Sequence, residues 1–489
     1  MIWALAAASA LAAVPAGLRW LRVAQREHYL AGEVTRSAGR WRRAGPVNFG
    51  VELAGFAAMI AMILHDVRWG FAVALIAAAW PIGLSVRGVT SPLAWTDRLR
   101  RLTAVTAVLL IVGLVLGGLA DEPLVVVLPL FLLYAVVDVA LWLLSPYERR
   151  HGEKWVEKAA AKIRSLDLDI VAITGSYGKT TTKNYVAHLL SGPRRVVASP
   201  ASFNNRMGLA RAINEGLTPG TEVFVAEMGT YGPGEIADLT LWIPPKVAAM
   251  VAIGPVHLER FGSVEAIVRA KEEILDRAEV GVICVDDPLL ADVARRRRQE
   301  MQIVEVSTDG GIMVAGEKVI DAPSGVFGAN LAVALGICHA LGIGVEDVVA
   351  RVVDLPVAEH RQSVSVGAGG FTIVDDTFNS NPAGARSALD TLARVSPGGK
   401  TAVVTPGMVE LGPVQDQSNR EFAAETASRV DHFVIVGRTN RNALRHGSAN
   451  GKASVTVVDS RDQAVEWARA TLGPGDAVLY ENDLPDHYP

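Results

Sequence analysis

The sequence predicts an N-terminal α-helical membrane domain followed by α/β structure that opens on a phosphate-binding loop. Two observations carry this reading. Hydrophobic residues make up 50% of the chain, and they crowd into the first ~145 positions, beyond which the composition is that of ordinary α/β protein. From Asp169 the chain then reads as buried strand, glycine loop and helix in succession. A net charge of −4, with no aromatic and basic stripe, gives no sign of nucleic-acid binding. The two cysteines, Cys284 and Cys338, make neither a disulfide framework nor a zinc site and fit a reducing cytoplasm.

The membrane domain is expected over 1–147, with about five transmembrane helices. The apolar stretches are residues 2–18, 49–64, 69–86, 102–119 and 124–144, each near the ~17–25 needed to span hydrocarbon. No basic segment precedes the first, so it reads as an anchor rather than a signal peptide. The connections alternate in charge. Arg19, Arg22, Arg26, Arg36, Arg40, Arg42 and Arg43 follow the first stretch; Arg87, Arg98, Arg100 and Arg101 follow the third; Arg149 and Arg150 follow the fifth. The other two connections hold only Arg68 among Arg and Lys residues. Arginine excess marks the cytoplasmic side. An odd number of spans then puts the N-terminus outside the plasma membrane and the domains after Pro146 in the cytoplasm, where ATP is. Asp138 lies within the fifth stretch, where an ionisable group is costly. It reads either as a functional group or as one that faces the bundle and pairs with a hydroxyl or an arginine. Residues 36–43 read either as an orientation signal or as an interfacial segment that holds anionic membrane lipid.

The β-branched run Asp169-Ile-Val-Ala-Ile-Thr174 leads into Gly175, Ser176, Tyr177, Gly178, Lys179, Thr180 and Thr181, then into a helical pattern through Tyr185, Leu189 and Leu190. Glycines let backbone N–H groups surround phosphate oxygens, and the helix N-terminus adds positive dipole. Lys179 can reach the outer phosphates and the Thr180 hydroxyl can ligate Mg²⁺. The general pattern wants a glycine five residues before Gly178, and Ile173 stands there. Further on come Ser202-Phe-Asn204-Asn205-Arg-Met-Gly208, then Glu227-Met-Gly229 at the end of a second apolar strand, His257-Leu-Glu-Arg-Phe261-Gly-Ser263, and Ala270-Lys271-Glu-Glu-Ile274. An acid at a strand end after a phosphate loop is a natural ligand for Mg²⁺ or its water.

Together these motifs resemble the Mur ligase family, which forms amide bonds in bacterial cell-wall precursors. They most resemble the branch that adds D-alanyl-D-alanine to a muramoyl tripeptide. The inward-shifted glycine is that family's form of the loop. The resemblance runs from about Asp169 to Gly475 and implies a P-loop central domain, 148–360, and a Rossmann-like C-terminal domain, 361–489. It implies ATP and Mg²⁺ as cofactors, with a cell-wall precursor and an amino acid or dipeptide as partners; the oligomeric state stays open. Gly175, Ser176, Gly178, Lys179, Thr180, Thr181, Asn330, Arg361 and Asp376 would bind ATP, Asn330 near the adenine and Asp376 at the ribose. Thr180, Glu227, His257 and Lys271, the last as a carbamate, would hold metal. Lys179, His257 and Lys271 would serve catalysis, and Asn204, Asn205, Asn379 and Asn381 would meet substrate. Without the resemblance, Lys271 reads as an ordinary surface lysine beside Glu272 and Glu273.

The implied chemistry is attack of an acceptor carboxylate on the γ-phosphate, then of an amine on the acyl phosphate, with closure between the two domains about a hinge at 355–370. The chain also departs from the family. Typical members begin with a UDP-binding domain, and here apolar helices stand in its place, so the acceptor is UDP- or lipid-linked. Glu481 stands where the family carries a Lys-Gly-Ser segment, and Asn419 replaces a usual histidine. The alternatives are the same chemistry on a capsular poly-amino acid or specialised peptide, or a non-catalytic nucleotide-binding scaffold.

Overall fold

The computed structural model describes every residue except 87–91, 201–202, 324–325, 357–360, 379, 485–486 and 489. The apolar region folds as α1 (Ile2–Arg26), α2 (Glu33–Arg43), α3 (Pro46–Leu64), α4 (Trp69–Ala79), α5 (Asp97–Ala120), α6 (Pro123–Phe131) and α7 (Leu133–Ser165). Among the described residues, α1, α3 and α5 are long and apolar enough to cross a membrane, and α6 with α7 is a fourth if that pair, bent by 77°, counts as one. The third expected span is corrected. The helix α4 has 11 residues, about 16 Å at 1.5 Å per residue, half of the ~30 Å hydrocarbon layer. It stops because Pro81 forces Trp80 into extended backbone, with ψ 140°.

The apolar passes nevertheless alternate in direction. At one end Trp3 covers Gly118 and Leu5 covers Gly70, so the start of α1 meets the end of α5 and the start of α4. At the other end Gln25 donates to the Ala94 carbonyl at 2.7 Å, Arg98 lies 4.4 Å over the Tyr29 ring, and Arg101 grips Glu148 through two bonds. The arginine-rich connections therefore gather at one end, as their charge pattern predicts; Arg87 lies outside the described residues. Asp138 is a structural cap. It accepts hydrogen bonds from Gly32 N and Thr35 N at 2.8 Å each, and from the Thr35 hydroxyl at 2.6 Å, closing the N-terminus of α2. That start has no capping side chain of its own.

The expected boundary at 147/148 falls inside one continuous helix. The helix α7 runs through Pro146 for 33 residues, and Val156, Ala159 and Ile163 near its end pack into the core of the next domain. That domain contains β1 (Asp169–Thr174), α8 (Lys179–Leu190), β2 (Val196–Ala198), α9 (Arg206–Gly216), β3 (Val223–Glu227), α10 (Glu235–Trp242), β4 (Val247–Met250), α11 (Leu258–Phe261), α12 (Val264–Glu272), β5 (Val280–Cys284), α13 (Pro288–Arg297), β6 (Gln302–Ser307), β7 (Ile312–Val314), β8 (Glu317–Ile320), α14 (Gly328–Ala340) and α15 (Val345–Val349). Its sheet has the order β2-β3-β1-β4-β5-β6-β7-β8, parallel through β6. Helices cover both faces, which is why strands such as Val223–Glu227 are buried at every position.

The last domain contains β9 (Ser363–Val366), β10 (Thr372–Asp376), α16 (Pro382–Val395), β11 (Thr401–Thr405), α17 (Gln415–Arg429), β12 (His432–Val436), α18 (Arg441–Ser448), β13 (Ser454–Val458), α19 (Arg461–Thr471) and β14 (Ala477–Glu481). The order β13-β12-β11-β14-β10-β9 is parallel except at β9. The late strand β14 slots between β10 and β11, so the strand order reverses there. In open α/β sheets, ligands gather at the carboxyl ends beside such a point. The expected hinge at 355–370 narrows, because β9 already belongs to the second sheet; residues 357–360 lie outside the described ones.

Candidate active site

The phosphate loop is pinned from three sides. The Thr174 hydroxyl donates to the Met228 carbonyl at 2.8 Å, Ser176 N to Ala252 O at 2.7 Å, and the Ser176 hydroxyl to Gly254 O at 3.1 Å. Gly178 sits at φ 76°, and a Cβ there would stand 2.6 Å from Asn330 Oδ1. Both the left-handed backbone and the missing space require glycine. Asn330 therefore lies against the phosphate loop. Lys179 Nζ reaches back across the loop to Gly175 O at 2.8 Å. Loss of solvent lowers the Lys179 pKa; Glu227 opposes this and the Arg361 charge adds to it. Thr181 is buried within α8.

Glu227, at the end of β3 and 3% exposed, is the hub. Its Oε2 accepts from the Thr180 hydroxyl at 2.9 Å and from Lys183 Nζ at 3.3 Å, and its Oε1 from Asn204 Nδ2 at 3.1 Å. Burial raises its pKa, but Lys183, Lys179, Asn204 and Thr180 together outweigh burial and hold it below the ordinary value. Lys183, 2% exposed, is a residue the motifs did not single out. The available signal was its position four residues after Lys179, on the same helix face.

Lys271 is 3% exposed, and among the described residues it has no hydrogen-bond or ion-pair partner. Burial pushes its pKa well below the usual lysine value, and the Lys179 charge pushes the same way. The acids beside it face elsewhere: Glu272 pairs with Arg296 and Arg297, and Glu273 accepts from Gly234 N and Ala237 N. This removes the surface-lysine reading. CO₂ adds to the neutral form of an amine, which this lowering favours, so the chemistry of Lys271 fits a carbamate.

His257, at φ 60° just before α11, directs Nδ1 at the Glu410 carboxylate of the last domain. Burial raises the Glu410 pKa, but the bond to His257 and nearby positive charge bring it down to about 2. That contact leaves Nε2 as the ring nitrogen open to a metal. Among the described residues no group of three or more His, Cys, Asp or Glu forms a protein-only metal cage. A hydroxyl beside a carboxylate, Thr180 and Glu227, still fits Mg²⁺, which takes few protein oxygens and completes its shell with phosphate and water.

From the last domain, Arg361 lies 4.5 Å over the Phe378 ring, and its charge is felt at both Glu227 and Asp376. Asp376 and Glu481 are partners in register at the ends of β10 and β14. Burial raises Asp376 to about 6 against the pull of Arg361, and raises Glu481 to about 8. Glu481, 1% exposed, accepts from the Thr405 hydroxyl at 2.6 Å and from Ser380. Two of the expected substrate residues also hold their own helices. Asn205 Oδ1 caps α9 through Gly208 N, and Asn381 Oδ1 caps α16 through Gly384 N, both at 2.9 Å, so these oxygens are already committed to the fold. Asn204 instead joins the Glu227 hub. Asn379 and Ser202 lie outside the described residues. Asn419 is fully buried and holds the Met408 backbone.

The chain matches the Mur ligase middle domain over residues 173–330 and the Mur ligase, glutamate ligase domain over 360–480. It is 32% identical to the UDP-N-acetylmuramoyl-tripeptide–D-alanyl-D-alanine ligase of Mycobacterium leprae, over 67% of this chain and 73% of that one. The enzyme of the same name from Bacillus subtilis is 28% identical, over 66% and 75%. In structure the chain is similar to the MurF ligase of Thermotoga maritima in complex with ADP, with TM-score 0.55, 25% identity, and 68% and 80% of the two chains covered. MurF from Acinetobacter baumannii shares the fold at TM-score 0.59 and 24% identity, with 68% and 77% covered. The chain is a member of the Mur ligase family, ATP-dependent enzymes that form amide bonds and release ADP.

Proposed function

We propose that this enzyme joins an amine, a dipeptide of the D-alanyl-D-alanine type, to the peptide carboxylate of a muramoyl-peptide cell-wall precursor, and does so at the cytoplasmic face of the plasma membrane. The observation that carries the reading is the meeting of Lys179, Thr180 and Glu227 at the phosphate loop, with the unpaired Lys271 close enough for the Lys179 charge to act on it. The activities of the similar ligases from Mycobacterium leprae and Bacillus subtilis suggest the substrate class.

The chemistry follows from charge. A carboxylate is a poor electrophile, so its oxygen first attacks the γ-phosphorus of ATP, the bond to ADP breaks, and an acyl phosphate forms. The amine then attacks the acyl carbon, phosphate leaves with the carbon–oxygen electron pair, and the ammonium proton goes to solvent. Lys179 neutralises charge on the transferred phosphoryl group, and the loop N–H groups fix its orientation. Arg361 adds positive charge from the opposite domain. Thr180 and Glu227 would hold Mg²⁺, which would supply positive charge against the phosphates. A carbamate on Lys271 would recruit further positive charge where two anions must approach. His257 and Glu410 bind the two domains across the cleft, an arrangement suited to closure during turnover.

The test is ADP release from the full chain in detergent with a muramoyl tripeptide precursor and D-alanyl-D-alanine, separately and together. Sustained ADP release should need both, with the acceptor alone giving at most a single turnover. Release with neither, or with no muramoyl peptide in any linkage, would overturn the substrate class. An N-terminal epitope tag should be accessible from outside intact cells; accessibility only after lysis would reverse the proposed orientation.

A further inference from the structure

The bundle and the last domain enclose two cavities that meet. The larger, about 740 Å³, is bounded by Arg43 of α2, by Leu258 and Glu410 beside His257, and by Arg438. The smaller, about 360 Å³, is bounded by Trp41, Pro46 and Val47 where α3 enters the apolar bundle, and by Arg438 and Arg441. Ala44, Arg438 and Asn442 line both, so the two join at a common neck. Together they extend from Leu258 and Glu410, next to His257, to the start of the membrane-length apolar helix α3. Val47 and Phe49 are among the apolar side chains exposed at that start.

Charge along this path is uneven. Arg43 and Arg438 face it from opposite domains, and among the described residues neither has an ion-pair or hydrogen-bond partner. Arg441 is held by Asp459 and the Gly437 carbonyl. The larger cavity carries acids, of which Glu410 is paired with His257 and Asp416 with Arg420, while Glu259 is left exposed. Among the described residues the smaller has no acid in its lining. The wall between them is the turn after β12, with Gly437 at φ 72°, leading into α18. Asn440 occupies the N-cap but donates to Pro406 O and Met408 O, so no side chain caps the first N–H groups of α18. Exposed guanidinium groups near a strand–turn–helix N-terminus attract anions, although the Arg438 charge also acts on Asp459.

We infer that this neck holds the diphosphate of an acceptor carried on a polyisoprenoid chain, with the lipid leaving past Val47 into the membrane and the glycopeptide extending toward His257. The inference rests on the muramoyl-peptide reading and adds the carrier to it. A nucleotide diphosphate shares the anionic chemistry. The lipid is favoured because the outer cavity opens onto apolar side chains at the head of α3, which a uridine would leave bare.

The experiment measures binding without ATP or amine. The full chain in phosphatidylcholine vesicles is titrated with a polyisoprenoid diphosphate, with UDP, inorganic diphosphate and phosphatidylglycerol as competitors. The R43Q/R438Q double variant should bind on the order of ten-fold more weakly, with thermal stability unchanged, because both side chains are exposed and unpaired. Ala44→Trp, which fills the neck at constant charge, should also weaken binding. Lys179→Ala should leave it intact. Equal affinity in the double variant, or displacement by UDP or phosphatidylglycerol at concentrations matching the probe, overturns the inference. Loss of binding alongside intact ADP release on a UDP-linked acceptor defeats the lipid carrier alone. Intact binding without any ligase turnover defeats the substrate reading instead.

Discussion

Glu227 and Glu481 occupy matching places in the two sheets, each at the carboxyl end of a buried strand with almost no exposed surface, yet their charge states are opposite. Glu227 has Lys183, Lys179 and two neutral donors around it and stays ionised. Glu481 has only hydroxyl donors and a neighbouring acid, Asp376, and its pKa rises to about 8, so it is mostly protonated at neutral pH. Burial acts on both in the same direction. What differs is whether an ammonium group shares the site. An acid at a strand end is thus a position and not yet a role. In the central domain it is a charge that can hold a metal beside phosphate. In the last domain it is a neutral hydrogen-bonding group.

The largest effect should come from the ammonium side of that contrast. Lys179→Ala should lower ADP release about 10³-fold, the scale for removing a preorganised charged donor from a transition state. A fall below ten-fold would mean the loop does not act on the transferred phosphate. Lys271→Ala should cost on the order of 10²-fold, with partial recovery when a small carboxylate such as acetate is added; recovery equal to a chloride control would remove the carbamate. Glu227→Gln should also cost about 10²-fold and raise the Mg²⁺ concentration needed for half-activity. It should lower stability by about 3 kcal/mol, because Lys183 is left buried and unpaired. Glu481→Gln, the same change in the other sheet, should cost less than about ten-fold, since glutamine resembles a neutral carboxyl. Equal losses for the two variants, measured as kcat on folded protein, would break the comparison.

The smallest effect is a pH dependence of stability. Glu481 has a folded pKa near 8 against an ordinary 4.5. Over that window the folded chain keeps a proton that the unfolded chain releases. The stabilisation is complete below the ordinary value and is lost as pH rises through about 8. Between about pH 5 and 8 the Tm of the natural protein should therefore fall relative to Glu481→Gln, which cannot titrate. Parallel curves would show that Glu481 is ionised in the fold.

Local chemistry was the legible part. A β-branched run, a glycine loop and a lysine are contiguous, so Lys179 and Thr180 could be read as one site before any fold was known, whereas Glu227 was reached through its place at a later strand end and the family resemblance. Arginine counts gave the alternation of the helices for the same reason, since each connection carries its own sign. The asparagines were less legible. Asn204 and Asn205 are neighbours of one residue type, and only backbone geometry decides that one meets Glu227 while the other caps α9. Asp138 is open between function and structure in the sequence, and the fold decides it by starting α2 on its carboxylate.

The sequence by itself determined the family, the phosphate loop, the two α/β units and a basic end to an apolar bundle, because each is written in residues close together along the chain. Tertiary structure alone decided what depends on distant segments. It carried α7 through the expected boundary, cut the third apolar pass to 11 residues, paired His257 with Glu410 across the cleft, and set Arg43 opposite Arg438. It also decided that Lys271 is a buried, unpaired amine although two acids follow it in the chain. Helical spacing turns those acids away, and the packed core removes the water that favours the charged form of the lysine.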